Sequence, residues 1–163
     1  MSKNGVLAFF MTVLLGGCSC FKHETAPQLL IINVLDPELY NDCHIDGSIN
    51  VQFEQLESFA SHLDHNTHVV IYCSNYKCTA SLFGARMFKK MGFDHVWAYE
   101  AGMAGWFQQK LPSVGPAKQA YLTMENEPFE DGTEKELIIS TQDLQKKLST
   151  MQVCSGADTC CCS

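Results

Sequence analysis

Positive charge is scarce in this sequence. Lys and Arg number 11 against 18 Asp and Glu, for a net charge of −7. No basic stripe runs along any segment, so the electrostatic footprint of a nucleic-acid-binding protein is missing and no nucleic-acid partner is expected. Long hydrophobic runs are missing too. The most apolar stretch, Gly5 to Leu15, is too short to span a bilayer, which needs about 20 residues. There is no internal repeat. The nine cysteines (Cys18, Cys20, Cys43, Cys73, Cys78, Cys154, Cys160, Cys161 and Cys162) lack the even spacing of a disulfide-framed mini-protein. What is present is an apolar content of 46% over 163 residues, enough for one packed domain with tails and too much for a disordered chain.

The N-terminus, "MSKNGVLAFFMTVLLGGCSC", places Lys3 before the apolar run and Gly16-Gly17-Cys18 after it. This is the pattern of an export signal. Leu15-Gly16-Gly17-Cys18 resembles the bacterial lipobox. The resemblance implies removal of residues 1–17, acylation of Cys18 with palmitate-type chains, and a lipid-anchored protein in the cell envelope. With Ser19 following, it implies the periplasmic side of the outer membrane in a Gram-negative cell. An ordinary signal peptide, or a buried N-terminal helix with Cys18 unmodified, is the alternative. A lipid anchor with several acyl chains holds at about 0.8 kcal/mol per buried methylene, and outside the cytoplasm disulfides persist.

After a polar tether over 18–28, "LLIINVL" reads as a strand buried on both faces. Asp36 and Pro37 open a helix as cap and first residue. Asp46-Gly47 is a turn before a short strand at Ser48 to Val51. Phe53, Leu56, Phe59, Ala60 and Leu63 make a helical face. "HVVIY" and "HVWAY" are two further strands. Between them, Ala80, Phe83, Met87 and Met91 form the predicted apolar stripe of a helix stopped by Gly92. "GMAGWFQQKL" is a short helix closed by Pro112. Strands alternating with helices predict an α/β domain over 29–112, a central parallel sheet with helices on both faces. Residues 113–163 are expected to be an acidic linker, a short helix capped by Ser140 or Thr141 with Leu144, Leu148 and Met151 on its apolar edge, and a cysteine-rich tail. That helix must dock on the domain or on a partner, because two turns of apolar contact do not fold alone.

Ligand sites in such folds lie at the carboxyl ends of the strands. Cys73 stands at one, followed by the polar loop Ser74-Asn75-Tyr76-Lys77-Cys78-Thr79 and then a helix start. Loop amides and the helix dipole at that place stabilise an anion. They predict a low-pKa Cys73 thiolate, facing solvent, as nucleophile. Cys78, at the far end of the loop, is either a resolving thiol for Cys73 or a small apolar residue under the helix start.

Four segments together resemble a single rhodanese domain: "INVLDPELY", "CHIDGSINV", "VVIYCSNYKCTAS" and "YEAGMAGWFQQKLP", in order over Leu29 to Pro112. The resemblance implies sulfurtransferase activity. Cys73 would take sulfane sulfur from a small donor as a persulfide and pass it to a thiol or cyanide acceptor, with no cofactor and no metal. The chain departs from the family's pattern where arginines often follow the cysteine, directly and at the fifth position; here these are Ser74 and Cys78. Tyr76 replaces a common mid-loop glycine, Asn33 and Leu35 replace an Asp and an Arg of the opening motif, and Lys77 is the only loop cation. Each missing charge-assisted hydrogen bond is worth roughly 1.5–3 kcal/mol, which weakens the case for a dianionic donor such as thiosulfate. Phosphatase chemistry on this fold needs an arginine at the sixth position, where Thr79 stands; the next arginine is Arg86. An envelope thiol/disulfide redox protein using Cys73 and Cys78, and a catalytically silent binding module, are the alternatives.

His44 reads as structural. His62, His65 and His68 read as solvated surface rather than a metal cluster, and Trp106 and Met103 as core or pocket wall. Glu100 lies at a strand end within reach of the cysteine loop. Cys154, Cys160, Cys161 and Cys162 are candidates for a soft metal or for disulfides to envelope partners, or belong to a frayed end.

Overall fold

The computed structural model describes residues 28–128 and 134–154. Cys18, Cys20 and Cys160 to Cys162 lie outside them, as do the expected signal segment and the lipidation site.

Four of the five strands of the main sheet run in the order β3-β1-β4-β5: β1 (Gln28–Asn33), β3 (Ile49–Asn50), β4 (His68–Tyr72) and β5 (Val96–Tyr99). All pair in parallel, with Leu30 opposite Val69 and Ile71 opposite Ala98. Near-continuous Leu, Ile and Val in β1 and β4 follow from burial on both faces. One face carries Leu30, Ile32, Val69 and Ile71 against Leu56, Ala60, Ala85 and Phe88, from α2 (Leu56–Ala60) and α3 (Ala80–Lys90). The other carries Ile31, Val70, Tyr72 and Tyr99 against Met103, Trp106 and Leu144, from α4 (Gly102–Gln108) and α5 (Thr141–Thr150). Strands β2 (His44–Ile45) and β6 (Ser113–Val114) form a separate antiparallel pair. The first helix, α1, is Pro37–Asp42, with Asp36 at its N-cap but no side-chain capping bond.

Two expectations need correction. The stripe of α3 expected at Ala80, Phe83, Met87 and Met91 holds only in part: Ala80, Met87 and Met91 pack partly buried against the core, and Phe83 does not. Ser81, Gly84, Ala85 and Phe88 are the buried residues, and Phe83 is 52% exposed. The reason is close approach: a Cβ at Gly84 would lie 3.1 Å from Leu56 Cδ1 and 3.2 Å from Ile71 Cδ1. The helix therefore brings Gly84 and Ala85 to its point of closest approach, with Phe88 buried beside them and Phe83 turned outward. The chain beyond Pro112 is also not a loose linker but packs on the domain. Asp42, buried, accepts the amides of Lys118 and Gln119 at 3.0 Å each. Leu122 is fully buried in a 3₁₀ turn over Ala120–Thr123. Ile139 donates its amide to Ala98 O on the β5 edge. The last strand, β7 (Gln152–Val153), pairs with β1. An acidic, Gly- and Pro-punctuated composition predicted a loose linker, but specific tertiary contacts dock it. The α5 helix is capped as expected, with Ser140 Oγ accepting the Asp143 amide at 3.1 Å, and its Leu144 is fully buried.

Candidate functional site

The carboxyl end of β4 is held firmly before the cysteine loop begins. Tyr72 is fully buried, its hydroxyl accepting the Ile45 amide at 3.1 Å and sharing a hydrogen bond with Ser48 Oγ at 2.9 Å. Burial pushes its pKa far up, so the phenol stays neutral. The next residues are gripped through their carbonyls: Cys73 O accepts Met103 N and Ser74 O accepts Ala104 N, each at 2.9 Å. The start of α4 thus lies directly on the loop. This contact requires glycine at 102, where φ is +60° and a Cβ would fall 2.6 Å from Asn75 N and Ser74 C.

The loop folds back on itself. Asn75 Oδ1 accepts the Lys77 amide at 3.1 Å and Asn75 O accepts the Cys78 amide at 3.0 Å, a side-chain-supported turn. It returns Cys78 to Cys73: the Cα atoms are 6.1 Å apart and the two sulfurs form a disulfide. Cys73 is 2% exposed; Cys78 is half-buried and packs against the core. The expectation of a solvent-facing Cys73 is corrected in this oxidised state. Cys73 belongs to the apolar core cluster on one face of the sheet and is bonded to Cys78. The expected anion nest is also smaller than predicted, because the amides of Tyr76, Lys77 and Cys78 are already engaged within the protein. Ser74 Oγ lies 3.9 Å from Cys73 Sγ. Lys77 and Thr79 are exposed, with Thr79 at the N-cap of α3.

The sequence offered no signal for Asn126. It lies in the stretch read as linker, yet its Oδ1 accepts the Tyr76 amide at 3.0 Å and its Nδ2 donates to Ala101 O at 2.9 Å. One side chain therefore ties the cysteine loop to the residue before α4. Glu100 stands close enough to Tyr76 to add, after burial, to the upward shift of the phenol's pKa.

The other candidates disperse. His44 is structural, its Nδ1 2.8 Å from Tyr40 O and its ring stacked on Tyr40 at 4.0 Å. His62 bonds to Ser58 O, His65 meets Phe93, and His68 stacks on His95, so these three histidines face different neighbours. Met103 and Trp106 are core, Trp106 Nε1 donating to Pro112 O at 2.8 Å. Arg86 pairs with Glu134 and lies over the Phe83 ring at 5.3 Å, engaged away from Cys73. Cys154 is buried and disulfide-bonded.

The chain is similar to known proteins. The thiosulfate sulfurtransferase GlpE of Shewanella oneidensis is 29% identical over 99 residues, covering 55% of this chain and 96% of that protein. The putative sulfur carrier protein YrkF of Bacillus subtilis is 31% identical over 85 residues, 52% of this chain and 45% of its own length. Among solved structures, the BH2092 protein of Bacillus halodurans superposes with a TM-score of 0.52 at 23% identity, covering 60% of this chain and 72% of that one, a likeness of fold. The rhodanese-like domain description matches residues 21–109. With more than half of its length inside that match, the chain belongs to the rhodanese-like domain family.

Proposed function

We propose that the protein is a sulfurtransferase that takes sulfane sulfur onto Cys73 as a persulfide and passes it to a thiophilic acceptor, a thiol or cyanide. The observation that carries this reading is the place of Cys73: the end of a central parallel strand, one loop before the start of α3, in a rhodanese-like domain. Similarity to a thiosulfate sulfurtransferase over nearly all of that protein's length supports the class. The donor proposed here is a persulfide or polysulfide rather than dianionic thiosulfate, because Lys77 is the only loop cation and three loop amides are occupied. Capture is a displacement: the Cys73 thiolate attacks the outer sulfur of R–S–SH, a new S–S bond forms, and R–S⁻ leaves.

Mass analysis of the reduced full-length protein after exposure to thiosulfate, polysulfide or a small persulfide tests this. One sulfur taken up per chain, retained as added mass or released as hydrosulfide, is expected, and Cys73→Ser should abolish both. Sulfur loading that persists in Cys73→Ser would remove Cys73 from the site. The Cys73–Cys78 disulfide favours a second reading, thiol/disulfide redox. There peroxide would remove two hydrogens without any sulfur loading, and Cys73→Ser or Cys78→Ser would block it.

The proposed location is the cell envelope, anchored through acylated Cys18, on the Leu15–Cys18 pattern alone. Mass spectrometry of membrane-extracted protein checks it: a soluble product that retains Met1 would overturn it.

A further inference from the structure

We infer that Cys78 discharges the persulfide within the same chain, so that the protein reduces sulfane sulfur to hydrosulfide and ends each turnover as the Cys73–Cys78 disulfide. This rests on the proposal that Cys73 is the sulfur-accepting residue. Three observations lead to it. The Asn75 turn and the Asn126 bond to Tyr76 shape the loop so that residues 73 and 78 stand 6.1 Å apart at Cα, within disulfide reach. The thiol at 78 is therefore the nearest nucleophile to a sulfur on Cys73, ahead of any external acceptor. Cys73 is only 2% exposed, so an outside acceptor has a hindered path to the persulfide. Finally, the loop has little with which to hold a persulfide anion: its one cation, Lys77, is exposed, and the amides of residues 76, 77 and 78 are committed.

The chemistry balances. In Cys73–Sγ–S⁻ the Cys78 thiol gives up its proton and its sulfur attacks Cys73 Sγ. The Sγ–Sγ bond forms and the bond to the outer sulfur breaks. The outer sulfur leaves with the bonding pair and the proton as HS⁻. The sulfane sulfur gains two electrons and the two cysteine sulfurs lose one each. Hydrosulfide is the departing group because the sulfur of lower pKa leaves faster. An external dithiol then reduces the disulfide, becomes a disulfide itself, and reopens the site. The reaction that supplies this protein must deliver sulfane sulfur, and the one that restores it must deliver a dithiol's electrons.

The experiment is a single turnover. Full-length protein is reduced with a dithiol, desalted, and given one equivalent of glutathione persulfide with no other thiol. Hydrosulfide and protein mass are followed together. The wild type is expected to release one hydrosulfide per chain and finish two hydrogens lighter, without a lasting added sulfur. Cys78→Ser should load the sulfur on Cys73 and release no hydrosulfide burst, its persulfide living on the order of ten-fold longer or more. Cys78→Ala, compared by circular dichroism with wild type, guards against a folding defect. A wild-type persulfide as long-lived as that of Cys78→Ser would overturn the inference and leave sulfur transfer standing. Failure of both proteins to load any sulfur would overturn the proposed function, and this inference with it.

Discussion

Cys43 and Cys73 are both almost wholly buried, yet their chemical prospects differ. Burial raises the Cys43 pKa, the Ser113 hydrogen bond opposes it, and the Asp42 charge adds to the rise; its thiol is free. That is the environment of an inert, packed cysteine. Cys73 has a second thiol bonded to it and sits where loop and helix start meet. Alkylation of the native, reduced protein should therefore modify Cys78, the more open of the pair, well before Cys43, and peptide mapping would show Cys43 labelled only after denaturant is added. At the opposite end of β4, His68 carries a pH signal. Burial, then the charges of His95 and Lys147, lower its pKa from 6.5 to about 4. Its Nδ1 has no hydrogen-bond partner among the described residues. The unfolded chain takes up this proton near pH 6.5 and the folded chain near pH 4. The contribution to stability is thus complete above pH 6.5 and is lost as pH falls through that window. For a half-exposed ring the loss is on the order of 1 kcal/mol after solvent screening. Urea midpoints at pH 7 and pH 4.5 should drop less in His68→Leu than in wild type; equal drops would place the acid sensitivity elsewhere.

The cysteine loop is shaped by three contacts from outside it. Met103 N and Ala104 N hold the Cys73 and Ser74 carbonyls, Asn126 holds Tyr76, and Gly102 allows the approach. Asn126 is a positioning residue, since it bonds the loop backbone and not the sulfurs. Asn126→Ala removes two hydrogen bonds, each worth about 0.5–1.5 kcal/mol. The loosened loop should hold its thiols together less well, so redox titration is expected to show the disulfide reduced more easily. Asn126→Asp keeps the acceptor for Tyr76 and loses the donor to Ala101, and should fall between. A potential unchanged in both variants would make Asn126 a purely structural brace. Gly102→Ala is the harsher change. It forces a left-handed φ on a residue with a Cβ and drives that Cβ to 2.7 Å from Cys73 O. A loss of roughly 1–3 kcal/mol, read from chemical unfolding, is expected together with displacement of the loop.

For the whole molecule, the tail is part of the core. Leu122, Ile139 and Leu144 lie 0%, 5% and 0% exposed on the face that also holds Ile31, Val70 and Tyr72. Each such side chain contributes roughly 1.5–3 kcal/mol by burial. A chain stopped at Pro112 loses all three and bares that face of the sheet. It should lose cooperative thermal unfolding or aggregate, whereas a chain stopped after Cys154 should keep it. A cooperative, soluble 29–112 fragment would show that the tail merely rests on a finished domain.

Much of this was legible in sequence. Apolar runs long enough for strands, the Asp36-Pro37 and Ser140 helix starts and the Gly92 stop produced the order of elements, because periodicity, caps and glycine act locally. The same local logic placed Cys73 between a strand end and a helix start. Other features depend on residues far apart in the chain. The inward face of α3 was partly misjudged, because hydrophobicity favoured Phe83, whereas the spacing between helix and sheet demanded Gly84. Asn126 meets Tyr76 across 50 positions and Asp42 meets Lys118 across 76, separations at which composition says only that a segment is polar. The chemistry was set in the same way. The sequence by itself determined that two thiols flank a polar loop at the end of a buried strand. Only the tertiary structure decided that the loop closes on itself, spends its amides internally and brings the thiols together, because those bonds are made by groups that the folded backbone alone places within reach.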